Sequence, residues 1–441
     1  MKRKIIIPFG FLLLGTVGSL YASSAKPKEN PVEVFEKSSE NKALALQRKT
    51  QINMNVPIHR TLFYGTHNSF NSTAYAKFAS DQKYTLSDQL RLGARFIELE
   101  VHWTLGKKGS NELLLCRGEN EKDHKGCSIN DRSFRDGLQE IRQWMLKSEN
   151  QNEILLLYVK DRLDGNYPKA LQTLTNVLGR WLYNHSGKCT DNYSADEMPK
   201  LGRMAETGAR ILLMSDTCQS GTGSEIWSSY FKKNFFSTFQ PKNFRGHPDC
   251  NFSREVYKNS FVRVSNNTSS KNTPDPSDSF TNSGIQSMLA CEVNVFGIDQ
   301  FDSDLAKQAL WSWDKSEPRD EGGNCARIWL NGRWSAFDCN AKFQFACRDT
   351  RTGNWVVTSN SSGGPWGHGS SACLFYGIKS ENQSGLGRYQ FVAPETPYEN
   401  KKLQDAVKSN GNNQTVWINI TKKGEGDWGP DNRVSDYFPT R

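Results

Sequence analysis

A chain of 441 residues exceeds the roughly 250 to 300 at which a single hydrophobic core stops growing, so two domains are expected. The formal charge of +9 is spread without a dense Lys/Arg tract, which excludes nucleic acid as a partner and suits anionic headgroups. Ten cysteines without a CxxC pair argue against zinc and for disulfides in an oxidising compartment.

The chain opens with Lys2, Arg3 and Lys4, an apolar run from Ile5 to Leu20, and small residues at Ala22, Ser23, Ser24 and Ala25. This reads as a signal peptide over residues 1–25, with a secreted or periplasmic product; retention as a membrane anchor is the alternative. Residues 26–55 are polar and rich in Lys, Glu and Ser, and are expected to form a linker.

Across residues 56–302, short apolar runs recur at Thr61–Tyr64, Arg95–Val101, Ile154–Val159, Arg210–Met214, Phe261–Val264 and Val293–Ile298. Helical spacing separates several of them, as in Phe134, Leu138, Ile141 and Met145, or Leu171, Leu174, Leu178 and Trp181. Alternating strands and helices predict an α/β domain with a parallel sheet, compatible with a (βα) TIM-type barrel. Ionisable groups follow or end these strands: His67, Glu98 with Glu100, Lys160 with Asp161, Asp216 and Asp299. Active sites of such barrels sit at those strand ends, although polar residues also simply begin loops. In Phe96–His102 the two-residue period puts Glu98, Glu100 and His102 on one face and Ile97, Leu99 and Val101 on the other. Two carboxylates so spaced suit Ca²⁺ or Mg²⁺; the same alternation also describes an ordinary half-exposed strand.

Three segments, Gly65-Thr66-His67-Asn68-Ser69, Leu86-Ser87-Asp88-Gln89-Leu90 and Gly93-Ala94-Arg95-Phe96-Ile97-Glu98-Leu99-Glu100, together resemble the opening of the phosphatidylinositol-specific phospholipase C X-domain. The resemblance implies a TIM barrel and a phosphodiesterase. His67 takes the place of the general base that removes a proton from the inositol 2-hydroxyl as it attacks phosphorus. Asn68, Glu98 and Glu100 match calcium ligands, with Asp161 or Asp299 available to complete the set. Arg95 and Asp299 are assigned to substrate, and Asp299 could instead orient His67. Two positions depart from the family. Its second histidine, the general acid, is replaced by Arg117 in Leu115-Cys116-Arg117-Gly118, leaving His102 and His124 as substitutes. Lys160 resembles the lysine of metal-independent bacterial members, whereas Glu100 stands where those carry arginine. Ca²⁺, Mg²⁺ and a metal-independent mechanism therefore all remain open.

Residues 303–441 change texture to Trp, Gly, Asn and Cys. The runs Trp311-Ser312-Trp313, Gly332-Arg333-Trp334 and Phe345-Ala346-Cys347, followed by Tyr398-Glu399-Asn400 and Val416-Trp417-Ile418-Asn419, resemble a C-type-lectin-like domain with its halves in reversed order. The resemblance implies disulfides Cys325–Cys339 and Cys347–Cys373 in a circularly permuted module. Glu317-Pro318-Arg319 lacks the amide of a calcium-dependent sugar site, so a structural or protein-binding module is expected.

Three functions compete. The first is a secreted phosphodiesterase acting on a phosphoinositide or another phosphodiester. The second is a catalytically impaired barrel that binds phosphorylated headgroups, a membrane surface or a glycan. The third is a metal-dependent glycerophosphodiesterase-like hydrolase. Retention of His67, Asn68, Glu98 and Glu100 together favours the enzyme.

Overall fold

The computed structural model describes residues 29–77, 80–118, 124–185, 189, 197–218, 230–233, 236–251, 261–266, 278–319, 321–359, 361, 363–381, 387–410 and 415–431. The expected signal peptide lies outside them.

Two sheets organise the chain. The first contains β1 (Phe63–Thr66), β2 (Phe96–Leu105), β3 (Asn111–Leu115), β4 (Arg132–Ser133), β5 (Leu155–Arg162), β6 (Ile211–Ser215), β7 (Phe231–Lys233), β8 (Phe236–Phe239), β9 (Phe261–Ser265) and β10 (Val295–Ile298). Its main path runs β7-β6-β5-β2-β1-β10-β9-β8, so the first and last strands in the sequence are neighbours at its centre. The ladders along that path are parallel. This is the strand order of a barrel opened between β7 and β8; among the described residues no ladder joins those two. The β3 and β4 strands extend β2 as an antiparallel flap.

The two-residue period decides which side chains go where. Ile97, Leu99 and Val101 join the outer core with Phe134, Leu138 and Leu174 from the covering helices. Phe96 faces inward and packs with Phe63, Tyr158 and Phe261. Continuing along the inner face of β2 brings Glu98 and then Glu100 above this aromatic floor, with Lys160 in register with Glu100. The apolar half of the interior supports the fold, and the ionisable half lies at the C-terminal strand ends.

Gly65 permits the close approach of β1 and β2. A Cβ there would sit 2.0 Å from the Phe96 carbonyl oxygen, which is backbone and cannot move aside. Gly65→Ala should therefore cost about 2–3 kcal/mol in a urea titration and displace His67 two residues on. A variant of unchanged stability would contradict that packing.

The second sheet contains β11 (Cys325–Ile328), β12 (Trp334–Phe337), β13 (Gln344–Asp349), β14 (Trp355–Val357), β15 (Tyr389–Phe391), β16 (Val416–Gly424) and β17 (Asp427–Gly429). Its path is β12-β11-β16-β13-β14, with the helices Gly369–Glu381 and Pro397–Ser409 inserted between strands in sequence. Trp313 packs edge-on against Trp334 and Trp428, so these indoles are core, while Trp329 stays 42% exposed. The pairs Cys325–Cys339 and Cys347–Cys373 form as implied, together with Cys116–Cys127, Cys189–Cys218 and Cys250–Cys291.

One expectation is corrected. Where a polar linker is expected over residues 26–55, the described residues 29–55 are mostly helical, with helices at Pro31–Glu36 and Ser39–Asn53 capped by Asn30 and Ser38. Their polar composition hides a buried stripe of Val32, Phe35, Ala43 and Leu44. Polar residues on the second helix, Gln47 and Gln51 buried and Asn53 half-buried, then join the two sheets: Gln47 accepts from the backbone N–H of Trp311, Gln51 donates to Glu395, and Asn53 donates to Trp428.

Candidate active site

His67 leaves the end of β1, and Asp299 leaves the end of the adjacent β10. His67 Nδ1 lies 2.8 Å from Asp299 Oδ1. With the carboxylate ionised, Nδ1 carries the proton and donates it, so Nε2 presents its lone pair to the interior. That nitrogen stands 3.8 Å from Glu98 Oε1. The peptide of His67 is held as well, since Gln82 Nε2 donates to the carbonyls of His67 and Ile298.

Glu98 is fully buried and flanked by cations. Lys160 Nζ lies 2.5 Å from its Oε1, and Arg263, reaching across from β9, pairs with its Oε2. Arg263 also rests against the rings of Phe96 and Tyr158, at 5.2 and 5.4 Å from their centroids. Burial pushes the Glu98 carboxyl up, but Arg263, Lys160 and His67 outweigh it and hold it at about 2, below its ordinary 4.5. The sign follows: this network stabilises the fold fully above about pH 4.5 and is lost as pH falls toward 2, on the order of 3 kcal/mol in all. Urea titrations at descending pH should show that slope, and Lys160→Met should flatten it.

A second arm of polar groups surrounds Asp81. Its Oδ2 accepts from Asn68 Nδ2 at 3.0 Å and Asn71 Nδ2 at 2.7 Å, and its Oδ1 lies 3.7 Å from the Arg117 guanidinium. Asn68, at φ 41° in the left-handed region that Asn tolerates, links the arms by accepting from Lys160 through Oδ1 at 3.3 Å. Arg117 is 36% exposed, which places a permanent positive charge at the mouth of the site.

Glu100 accepts from the Gly118 backbone at 3.2 Å and lies 3.0 Å from His102 Nε2. His102 is buried, with Nδ1 2.9 Å from His124 Nδ1, and His124 Nε2 is 2.8 Å from Asp164. His102 thus reaches the interior through Glu100.

Of the residues singled out in the sequence, His67, Asn68, Glu98, Lys160, Arg117 and Asp299 come together in one site, and Glu100 with His102 lies alongside. Two residues lie elsewhere. Arg95 does not face substrate: it precedes β2, at the opposite end of the strand, where it pairs with Glu153 at 2.9 Å and stacks on Trp144. Asp161 follows Lys160 and so points to the other face of β5, accepting from Thr217 and Ser215, with burial and then the neighbouring Asp216 raising its carboxyl to about 7. Of the two roles open to Asp299, its contact with His67 Nδ1 fits the one that orients the imidazole. Sequence reading missed Asp81, Gln82 and Arg263. Arg263 carried a signal, as a charge inside the apolar run Phe261–Val264; Asp81 sits in an irregular loop and carried none.

The donor set expected for a divalent ion does not fit one. Lys160 and Arg263 already pair with the two oxygens of Glu98, Glu100 is engaged by His102 and Gly118, and Asp161 faces away. A hard cation needs several such oxygens directed at one point.

The topology is that of an opened (βα) barrel with a histidine–aspartate pair and a cationic cluster at its strand ends. Residues 37–304 match the Rv2075c PI-PLC-like domain, and the chain belongs to that family. The match takes in the helix Ser39–Asn53. Uncharacterized protein Rv2075c of Mycobacterium tuberculosis is 28% identical over 333 residues, covering 69% of this chain and 67% of that protein. Among solved structures, the phosphatidylinositol-specific phospholipase C from Listeria monocytogenes is 16% identical with a TM-score of 0.41, covering 60% of this chain and 97% of that one. A Ca²⁺-dependent phosphatidylinositol-specific phospholipase C from Streptomyces antibioticus is 10% identical with a TM-score of 0.33, covering 58% and 98%.

Proposed function

We propose that the barrel is a phosphoric diester hydrolase or lyase whose general base is His67 and whose phosphate-holding charges are Lys160 and Arg117. The observation that carries this reading is the His67–Asp299 pair, its free nitrogen turned toward the Glu98–Lys160 ion pair. His67 Nε2 takes a proton from an attacking hydroxyl, either the substrate's own neighbouring hydroxyl or water; that oxygen bonds to phosphorus as the P–O bond to the leaving group breaks, and the departing alkoxide takes its proton from solvent. Lys160 and Arg117 carry the charge that builds on the phosphoryl oxygens, while Arg263 holds Glu98 so that Lys160 stays aimed inward. A phosphoinositide fits the family, and another phosphodiester with a vicinal hydroxyl satisfies the same chemistry. The five disulfides accord with export to an oxidising compartment, and among the described residues no helix is long and apolar enough to cross a membrane. The C-terminal sheet, with its tryptophans in the core, reads as a structural or protein-binding module whose lectin likeness rests on its motifs and cysteine pairs.

The test is turnover of phosphatidylinositol and of glycerophosphodiesters by the purified protein, with and without chelator. Activity that chelator leaves unchanged is expected. No turnover on any phosphodiester would leave the impaired, headgroup-binding barrel as the better reading. Activity abolished by chelator would overturn the cationic mechanism and redirect attention to His67, Asp81 and Asp299, whose ligand atoms lie within 4.8 Å of one another.

A further inference from the structure

Four ionisable side chains beside the site neither hold the phosphate nor activate the nucleophile, and they stand in a row. Asp164 Oδ2 lies 2.8 Å from His124 Nε2, the Nδ1 atoms of His124 and His102 face each other at 2.9 Å, and His102 Nε2 lies 3.0 Å from Glu100 Oε1. Side-chain exposure falls from 59% at Asp164 to 25% at His124 and to none at His102, so the row runs from solvent into the barrel. Its inner end lies among the phosphate-holding charges: Glu100 is in register with Lys160, and its Oε1 also accepts from the backbone N–H of Gly118, next to Arg117.

A proton count defines what the row holds. An ionised carboxylate brings no proton and a neutral imidazole brings one, so these four groups in those forms supply two protons for three contacts. All three contacts are at hydrogen-bond distance, and one without a proton would set lone pair against lone pair. The row therefore carries one further proton. Burial pushes the Glu100 carboxyl up, but the bond from His102 and the charge of Lys160 outweigh it and hold the group below its ordinary 4.5. Glu100 is thus ionised at rest, and the extra proton is shared by the groups behind it.

We propose that Asp164, His124 and His102 form a proton relay from solvent to Glu100, and that Glu100 hands the proton to the departing alkoxide. This rests on the phosphodiesterase reading and supplies the acid that Arg117 cannot be. As the P–O bond breaks, its electron pair stays on the leaving oxygen. The negative charge building there draws the proton from His102 Nε2 onto Glu100, whose neutral carboxyl turns and gives it to that oxygen. Solvent then returns one proton to the row at Asp164, and His67 releases to solvent the proton it took from the nucleophile. Because Glu100 holds the proton only transiently, the relay is a slower donor than an imidazole at position 117, and loss of an alkoxide stays limiting.

The test compares phosphatidylinositol, which loses an alkoxide, with the 4-nitrophenyl ester of inositol phosphate, whose leaving group needs no proton, both turned over by the full-length protein. Asp164→Asn suits the local backbone, since Asn tolerates the φ of 48° found there, but its amide cannot pass a proton on. It should lower kcat on the alkyl ester by about threefold or more. His124→Gly interrupts the row and should lower it by at least about tenfold, while aryl turnover changes by less than about twofold in either variant. Imidazole added to His124→Gly should restore most of the alkyl turnover, which a merely structural loss would not allow. Thermal unfolding shows whether each variant is folded. A parent active on both esters overturns the relay alone if its alkyl turnover survives His124→Gly, or falls together with aryl turnover and is not restored by imidazole. An alkyl-to-aryl ratio unchanged in Asp164→Asn does the same, whether or not His124→Gly folds. A parent that turns over neither ester overturns the phosphodiesterase reading, and the relay with it.

Discussion

Asp299→Asn should lower kcat by roughly 10³- to 10⁴-fold while leaving KM within a few-fold, the largest loss expected of any conservative change outside His67 itself. The carboxylate, 2.8 Å from Nδ1, is what keeps the proton on that nitrogen and the lone pair on Nε2. An asparagine amide can instead donate to Nδ1, which reverses the tautomer and removes the base without altering the shape of the pocket. It also removes the charge that stabilises the imidazolium formed during attack. His67→Ala should fall to the same residual rate, because the two residues act as one unit and their losses do not add. A loss under tenfold in Asp299→Asn would mean that Asp299 is a spectator and that the base lies elsewhere.

Replacing Arg117 by histidine should raise activity toward substrates with alkoxide leaving groups by about 10²-fold. The departing alkoxide needs a proton, and the guanidinium at position 117 is too weak an acid to supply one. Its place is nevertheless well chosen: it stands 3.7 Å from Asp81 at the edge of the site, where a carboxylate would orient an imidazole as Asp299 orients His67. A 4-nitrophenyl ester leaves without protonation, so its hydrolysis should not rise and should fall somewhat, because a positive charge near the phosphate is lost. The ratio of alkyl to aryl turnover is therefore the readout. In the parent it should strongly favour the aryl ester, and Arg117→His should narrow the gap. Equal changes on both esters would show that position 117 acts on the phosphate alone.

These expectations rest on residues of different legibility. His67, Glu98, Glu100 and Lys160 can be found from the chain because each ends or follows a strand, and strand period assigns faces over a handful of residues. The same rule separates Asp161 from Lys160, since adjacent residues on one strand point to opposite faces. Arg95 misled for a related reason. It belongs to the motif by sequence, but it stands at the entrance to β2 while the chemistry stands at the exit. Arg263 and Asp81 were missed because their partners could not be read locally, although Arg263 stands out as a charge inside the apolar run Phe261–Val264. The first is 165 residues from Glu98, and the second sits in an irregular loop where no periodicity assigns a face.

By itself, the order of residues determined the alternation of strand and helix, the end of the barrel at which ionisable groups gather, and the place of His67 at the end of the first strand, because these follow from local periodicity and a compact motif. Only the tertiary structure decided how those charges are neutralised. Closure of β1 against β10 brings Asp299 to an imidazole 232 residues away, and curvature of the sheet brings Arg263 onto Glu98. Those pairings turn a set of apparent metal ligands into an ion-paired cluster, because electrostatic partners are chosen by distance in space and not along the chain.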